Sequence, residues 1–227
     1  MKMLKIGHRG AKGHAPENTL ISFQKAIELG VDGIELDVHL TSDNHVVVIH
    51  DESVDRTTSG TGLVNSLTLD ALKSLRIDNL YEIPMLQEVL NFIDKKIFVN
   101  IELKGKNTAK PVADLIERYV LEKNWTYNHF LVSSFDWNAL QEVRSLSPNI
   151  AIGVLTETDL KLAIDFAKFT NAKSVHPYFQ LLTMENVKQM HQDGFQVFPW
   201  TVNAQEDIHK IKSMKVNGII SDFPDRL

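Results

Sequence analysis

Residues 33–39, Gly33-Ile-Glu-Leu-Asp-Val-His39, alternate apolar and polar side chains. Successive side chains of an extended strand point to opposite faces, so Glu35 and Asp37 share one face and the apolar residues take the other. A second stretch, Val99-Asn-Ile-Glu-Leu-Lys104, repeats the arrangement and places Glu102 and Lys104 on the same face. Both stretches are therefore predicted to be strands that are apolar on the outside and acidic at their inner ends.

Short apolar runs of this kind recur along the chain and alternate with segments of helical periodicity. The predicted strands are Leu4–Gly7, Ile34–Leu40, Ile97–Leu103, Phe130–Ser133, Ala151–Leu155, Ser174–His176, Val197–Thr201 and Gly218–Ser221. The predicted helices are Thr19–Leu29, Leu86–Phe92, Lys110–Glu122, Trp137–Leu146, Leu160–Lys168, Met184–Asp193 and Ala204–Met214. Because strands that alternate with helices form right-handed crossovers and a parallel sheet, this pattern predicts an α/β fold, a closed (β/α)8 TIM barrel.

Two local features modify the regular repeat. Val46–Ile49 follows the second strand after a connection too short for a parallel crossover, so it is predicted to return as an antiparallel hairpin. The polar segment after it and the helix pattern at Leu69–Leu75 predict a small insertion at the barrel mouth, over about residues 51–80. With no linker elsewhere, residues 1–227 are expected to form a single domain.

Helix boundaries can be read from capping residues. Glu17-Asn18-Thr19 is expected to cap the first helix, and Gly30 to end it in a left-handed conformation. Thr183 is expected to start the helix that Gly194 closes. Only a few residues follow the eighth strand, so the eighth helix is expected to be short or absent.

Composition narrows the range of partners and locations. The net charge is −5, so no global basic field attracts nucleic acid or anionic lipid. The chain has no cysteine, which excludes disulfides and thiolate metal sites. No secretory signal and no run of about 18 apolar residues is visible. We therefore expect a cytoplasmic protein with no stable membrane association, and the sequence leaves its oligomeric state open.

The carboxyl ends of all barrel strands meet at one face, where active sites lie. The predicted strand ends carry polar or aromatic side chains: His8-Arg9, Glu35 with Asp37, Glu102 with Lys104, Ser133-Ser134, Thr156, His176, Trp200 and Ser221-Asp222. Three carboxylates converging there would repel one another, and a divalent cation would remove the conflict. The all-oxygen ligand set favours Ca²⁺ or Mg²⁺, with Mn²⁺ as a further candidate. Pairing of the same carboxylates with lysines and arginines at the rim is the alternative.

Two histidines and two basic residues flank this cluster. His8 and His50 can exchange protons near neutral pH, although a single histidine is more often a hydrogen-bonded structural residue. Arg9 and Lys104 suit phosphate oxygens, or else form salt bridges with neighbouring carboxylates. Trp200 either contacts a ligand or belongs to the core.

The motifs also carry a family resemblance. In order along nearly the whole chain they are Gly7-His-Arg-Gly10, Pro16-Glu-Asn-Thr19, Glu35-Leu-Asp37, His50-Asp51, Glu102-Leu-Lys104 and Trp200-Thr-Val-Asn203. This series resembles the glycerophosphodiester phosphodiesterase family, most specifically in its first half. The segment after Asp51 is similar to the family's small inserted subdomain, although it is short here.

The resemblance implies a reaction and a set of roles. It implies metal-dependent hydrolysis of a small glycerophosphodiester to glycerol 3-phosphate and an alcohol, with either the glycerol 2-hydroxyl or water as the nucleophile. His8 would be the proton acceptor and His50 the proton donor. The implied metal ligands are Glu35, Asp37 and Glu102. The implied substrate contacts are Arg9 and Lys104 on the phosphate and Trp200 on the glycerol side.

Three other functions are compatible with parts of the pattern. A lipid phosphodiesterase similar to phosphatidylinositol-specific phospholipase C or sphingomyelinase D would use a similar barrel and two histidines, but no apolar docking segment is evident. A barrel isomerase or aldolase would leave the two histidines without a role. A metabolite sensor that binds glycerophosphodiesters without cleaving them would not need both His8 and His50, so the presence of both favours catalysis.

Overall fold

The structure is a computed structural model that describes residues 2–227. Its strands are β1 (Leu4–Gly7), β2 (Gly33–Leu40), β3 (Val46–Val48), β4 (Phe98–Leu103), β5 (Phe130–Ser134), β6 (Ile152–Thr156), β7 (Ser174–Pro177), β8 (Gln196–Val197) and β9 (Gly218–Ser221). Its helices are α1 (Leu20–Glu28), α2 (Leu69–Ser74), α3 (Leu86–Ile93), α4 (Ala109–Glu122), α5 (Trp137–Leu146), α6 (Leu160–Phe169), α7 (Met184–Gln192) and α8 (Gln205–Ser213). Within residues 2–227, no helix is both long and apolar enough to cross a membrane.

Eight strands form a parallel sheet in the order β8-β7-β6-β5-β4-β2-β1-β9. The two ends of this order approach each other through backbone hydrogen bonds rather than a regular ladder. The amide of Asn217 donates to Val197 at 3.1 Å, Ile220 donates to Pro199 at 3.0 Å, and Val202 donates to Ile220 at 3.0 Å. The sheet is thus a nearly closed barrel with helices between its strands, which confirms the predicted fold class.

The predicted hairpin is confirmed. β3 pairs antiparallel with β2, from Val38 opposite Val48 to Leu40 opposite Val46. The chain then forms the small insertion, which has an apolar cluster of its own. The buried members of this cluster are Val47, Ile49, Val54, Val64, Leu72, Ile77 and Ile83. The insertion is therefore held in place by packing against the hairpin that carries His50.

Alternation along the strands separates the core into two parts. Ile34, Leu36 and Val38 are fully buried on the outer face of β2, where they join the large cluster under the helices. A smaller cluster lies inside the barrel and consists of Ile6, Leu131, Phe198 and Ile220. The acidic residues of β2 and β4 lie above this inner cluster, at the carboxyl end of the barrel.

The structure departs from two of the predicted boundaries. The strand predicted at Val197–Thr201 is reduced to Gln196–Val197, because Pro199 has no N–H to donate and the regular ladder stops before it. Of the predicted cap, Thr19 accepts the helix bond, from Ser22 at 3.2 Å, whereas Glu17 and Asn18 serve the site described below. After the last barrel strand, β9, the chain forms only a single 3₁₀ turn at Pro224–Arg226, in agreement with the expectation of a short or absent helix there.

Candidate active site

Three buried carboxylates meet at the carboxyl end of the barrel. Glu35 and Asp37 come from β2 and Glu102 from β4, where Asp37 and Glu102 are direct neighbours in the parallel register. One oxygen from each residue lies within 4.8 Å of those of the other two. Their residues are 3%, 1% and 8% exposed, so water does not screen their repulsion. The alternation predicted from the sequence thus brings all three together.

The cluster needs a positive charge that the surrounding side chains supply only in part. Glu35 Oε1 and Glu102 Oε1 are buried and have no hydrogen-bond partner among residues 2–227, although Lys104 Nζ lies 3.2 Å from Glu102 Oε1. Burial and then repulsion by Asp37 raise the pKa of Glu102 to about 7. The same two causes raise the pKa of Glu35 well above its ordinary value. Ion pairing at the rim therefore leaves the cluster unsatisfied, and a hard divalent cation fits its oxygen donors.

His8 follows β1 and is held by a carboxylate far away in sequence. Its Nδ1 lies 2.6 Å from Asp222 Oδ1, and Asn203 Nδ2 donates to the other Asp222 oxygen at 2.8 Å. Burial acts to raise the pKa of Asp222, but the bonds from His8 and Asn203 outweigh it and lower that pKa. An ionised carboxylate can only accept, so Nδ1 carries the proton. The lone pair of neutral His8 is then on Nε2, which lies 3.9 Å from Glu35 Oε2.

His50 is held in the same manner, by the residue that follows it. Its Nδ1 lies 2.6 Å from Asp51 Oδ1, and its backbone carbonyl lies 3.0 Å from His39 Nε2. Burial lowers the pKa of His50, although Asp37 and Asp51 oppose this effect. The pKa of Asp51 is itself lowered, chiefly by hydrogen bonds from Arg56. In each histidine an aspartate thus occupies Nδ1, and both rings line the same cavity.

The two basic residues contact the carboxylates from different sides. Arg9 adopts a left-handed backbone, with φ of 50°. Its amide donates to Glu35 Oε2 at 2.9 Å, and its Nη1 donates to Glu17 Oε1 at 2.8 Å. Lys104 lies beside Glu102, and its Nζ is 5.7 Å from the centre of the Phe135 ring. The positively charged side chains of Arg9 and Lys104 are thus each held by a carboxylate at the barrel mouth.

A cavity of about 90 Å³ joins these groups. Seven of the eight predicted site residues line it: His8, Arg9, Glu35, His50, Glu102, Lys104 and Trp200. Asp37, the eighth, lies in the carboxylate cluster. Trp200 packs edge-on against Phe135, with ring centres 5.3 Å apart, and its Nε1 donates to the His176 carbonyl at 2.8 Å. The cavity is therefore lined by an aromatic pair as well as by charged side chains.

Sequence reasoning missed several supporting residues. Asn18 Nδ2 donates to Asp37 at 2.8 Å, and Glu17 accepts from Arg9, so the Pro-Glu-Asn motif supports the site rather than the helix. Asn100 lines the cavity, and the alternation that placed Glu102 inward would have found it two residues earlier on β4. Phe135 carried no sequence signal. Asp222 was visible only as one of the polar strand ends.

The fold and the site together define a barrel enzyme whose mouth holds a buried acidic cluster between two histidines. The family model described as "Glycerophosphoryl diester phosphodiesterase family" matches residues 8–226. The chain therefore belongs to the glycerophosphoryl diester phosphodiesterase family, as the sequence motifs predicted.

Curated relatives agree with this assignment over most of their length. The chain is 39% identical to a glycerophosphodiester phosphodiesterase of Caldanaerobacter subterraneus, over 100% of this chain and 97% of the relative. It is 31% identical to a glycerophosphodiester phosphodiesterase of Bacillus subtilis, over 99% of this chain and 85% of the relative. These alignments extend over both the barrel and the insertion.

Solved structures share the fold. A phosphodiesterase of Oleispira antarctica, in complex with the product sn-glycerol-3-phosphate, superposes with a TM-score of 0.88 and 28% identity, over 97% of this chain and 93% of that one. A glycerophosphodiester phosphodiesterase of Thermotoga maritima gives a TM-score of 0.82 and 28% identity, over 99% and 97%. These solved structures thus share the barrel fold over nearly the whole chain.

Proposed function

We propose that the chain hydrolyses water-soluble glycerophosphodiesters to glycerol 3-phosphate and an alcohol, with a divalent cation bound by Glu35, Asp37 and Glu102. The observation that carries this proposal is the buried three-carboxylate cluster beside a cavity that both His8 and His50 line. Membership of the family supports the reaction, and the product bound in the Oleispira antarctica relative supports the glycerol phosphate half of the substrate.

The two histidines are proposed to divide the proton transfers. Neutral His8 takes the proton of the attacking hydroxyl at Nε2, because its Nδ1 proton is committed to Asp222. Protonated His50 gives its Nε2 proton to the departing alkoxide. The bond from Nδ1 to Asp51 favours the charged imidazolium and opposes the burial that lowers the pKa of His50. One P–O bond forms to the nucleophile and one breaks to the alcohol, so protons and bonds balance. Direct attack by water gives glycerol 3-phosphate in one step. Attack by the glycerol 2-hydroxyl instead gives a cyclic phosphate and the alcohol, and water then opens the ring, with His50 taking the proton of the water and His8 returning its proton to the glycerol 2-oxygen.

The remaining groups would bind and orient the phosphate. A bound divalent cation would neutralise charge on the non-bridging oxygens. The all-carboxylate ligand set favours Ca²⁺ or Mg²⁺ over softer metals, with Mn²⁺ as a further candidate. Arg9 and Lys104 are proposed to contact the same oxygens. Both side chains line the cavity, and each is held in place by a carboxylate, Glu17 for Arg9 and Glu102 for Lys104. Trp200, with Phe135 against it, would line the glycerol side.

The test is a substrate screen with metal control. Glycerophosphocholine, glycerophosphoethanolamine, glycerophosphoglycerol and glycerophosphoinositol are assayed for glycerol 3-phosphate release. Each is measured after prolonged incubation with EDTA and after addition of Ca²⁺, Mg²⁺ or Mn²⁺. We expect release to disappear with EDTA and to return with at least one of the three ions. Full activity in excess EDTA would refute the metal site.

A second arm tests substrate size. The chain has a net charge of −5, and recognition by Arg9, Lys104 and a cation concentrates on the phosphate. Binding at a bilayer requires an exposed apolar face, a basic patch or both. We expect higher initial rates on glycerophosphocholine than on phosphatidylcholine vesicles at matched phosphate concentration, and poor cleavage of nucleic acid. Faster cleavage of the vesicles would favour the lipid phosphodiesterase alternative.

A further inference from the structure

Arg56 lies in the insertion and reaches back to the barrel mouth. Its Nη2 donates to Asp51 Oδ1 at 3.0 Å and to Glu17 Oε1 at 2.7 Å, while Nε donates to the other Asp51 oxygen. Asp51 is the partner of His50 Nδ1, and Glu17 is the partner of Arg9 Nη1. A single guanidinium thus joins the two sides of the site through their carboxylates.

We propose that Arg56 is a positioning residue that fixes the His50–Asp51 pair relative to Arg9, so that His50 is aimed at the departing oxygen. This inference rests on the proposed role of His50 as proton donor. It assigns a function to the insertion, which otherwise contributes only its own small core. Arg56 need not contact the substrate, because it acts through Asp51 and Glu17.

The geometry argues against an incidental surface ion pair. Exposed pairs usually contribute little, because holding two long side chains in one geometry costs entropy. The Arg56 side chain is 49% exposed, but its partner Glu17 is only 10% exposed and is already fixed by Arg9. A planar guanidinium can bridge two carboxylates at once, which a lysine ammonium does with much poorer geometry. The pairing is therefore preorganised on the barrel side.

Loss of Arg56 should impair the step that needs His50 more than any other step. Without the guanidinium, Asp51 is free to rotate, and the His50 imidazole loses its fixed orientation. A poor alkoxide leaving group, such as choline, requires the proton from His50. A 4-nitrophenolate leaving group does not, because its anion is stable near neutral pH. The effect of the substitution should therefore depend on the leaving group.

The experiment compares kcat on glycerophosphocholine with kcat on a glycerophospho-4-nitrophenyl ester for the metal-loaded enzyme. Arg56→Ala should lower kcat on glycerophosphocholine by about 10- to 100-fold, the usual range for an outer-shell partner, with less than about threefold loss on the nitrophenyl ester. His50→Ala should show the same selectivity at larger amplitude. In the His50→Ala background, Arg56→Ala should cause little further loss, because both act through one group.

Arg76→Ala is the matched control. Arg76 lies in the same insertion, but its Nη1 donates to the backbone carbonyls of Lys73 and Leu75, at 2.6 and 2.8 Å, and it reaches no site residue. Arg76→Ala should lower the stability of the insertion, and any loss of kcat should be the same on both substrates. Arg56→Lys, which keeps the charge but not the fork, should fall between wild type and Arg56→Ala, and it preserves the test if Arg56→Ala fails to fold.

The outcomes separate the two proposals. If His50→Ala impairs both substrates equally, His50 is not the proton donor, and the role of Arg56 falls with it. If His50→Ala is selective but the Arg56 variants retain wild-type kcat, or lose activity equally on both substrates, only the Arg56 inference is overturned. Additive losses in the double variant would also overturn it, because they indicate a general effect on stability.

Discussion

The two ends of the barrel interior are built from the same strands but carry different side chains. Ile6, Leu131, Phe198 and Ile220 form an apolar layer inside the barrel. Two residues further along, the same strands or their continuations carry His8, Ser133, Trp200 and Asp222. Because side chains alternate with a period of two, each pair points inward from one strand at successive levels. One layer closes the barrel, and the next forms the candidate site.

Cavity size alone would identify the wrong end. At the amino-terminal end, a cavity of about 700 Å³ is lined by side chains that include Leu4, Phe98 and Phe198. The mouth cavity measures only about 90 Å³. Among the described residues that line the larger cavity there is no carboxylate and no histidine. The difference teaches that converging titratable groups, rather than volume, identify the functional end of this barrel.

The strongest test of the comparison removes a carboxylate from the mouth. Glu35→Gln, Asp37→Asn and Glu102→Gln should each weaken metal binding and lower kcat by roughly two to four decades, because each removes a charged oxygen ligand. Kinetics and metal titration of the purified variants would measure both effects. Glu185→Gln makes the same chemical change on the exposed first turn of α7 and should leave both unchanged. Wild-type metal affinity in all three mouth variants would contradict the assignment.

The histidines should have the next largest effect. His8→Ala and His50→Ala are each expected to lower kcat by roughly 10²–10⁴-fold with the fold intact, because each removes one proton transfer. The double variant should lose less than the product of the two, and wild type should give a bell-shaped pH–rate profile. His209→Ala, at an exposed position on α8, is the control. Wild-type turnover in either variant would remove that histidine from the mechanism.

Strand alternation was sufficient to predict most of the mouth. It placed Glu35, Asp37 and Glu102 inward and their apolar neighbours outward, as the structure has them. It could not pair His8 with Asp222, because the two are 214 positions apart and meet only when the barrel closes. Arg56 was also out of reach, since its two partners lie on separate loops. Local pattern thus predicted which way side chains point, whereas long-range pairing required the folded barrel.

A smaller effect concerns stability and pH in the absence of metal. The folded pKa of Glu102 is about 7, above its ordinary value of 4.5. Because this pKa is raised, the folded state binds the proton more tightly than the unfolded state does. The stabilisation from protonated Glu102 is therefore complete below about pH 4.5 and is lost as the pH rises through 7. In EDTA, wild type should therefore lose stability relative to Glu102→Gln over that window, on the order of a few kcal/mol.

Denaturation of both proteins from pH 4 to 8, with and without metal, measures this difference. The comparison with Glu102→Gln is needed because buried His176, whose pKa is lowered to about 3 by burial, acts in the opposite direction: it costs stability as the pH falls below 6.5. Metal should restore wild type at pH 8 and help the variant less. If the difference in unfolding free energy between the two proteins stays constant across this pH range, the fold does not raise the pKa of Glu102.

The smallest expected effect on catalysis comes from the other end of the same strand. Phe98 and Glu102 both point inward from β4, four residues or about 13 Å apart, and the Phe98 ring packs over Gly33. Phe98→Leu should cost roughly 1 kcal/mol of stability, because it removes part of a half-buried ring without placing a polar group in the core. Its kcat and metal affinity should stay within about twofold of wild type. A tenfold loss of kcat with an unchanged Tm would mean that the apolar end positions the carboxylates above it, and the two ends would then have to be treated as one functional unit.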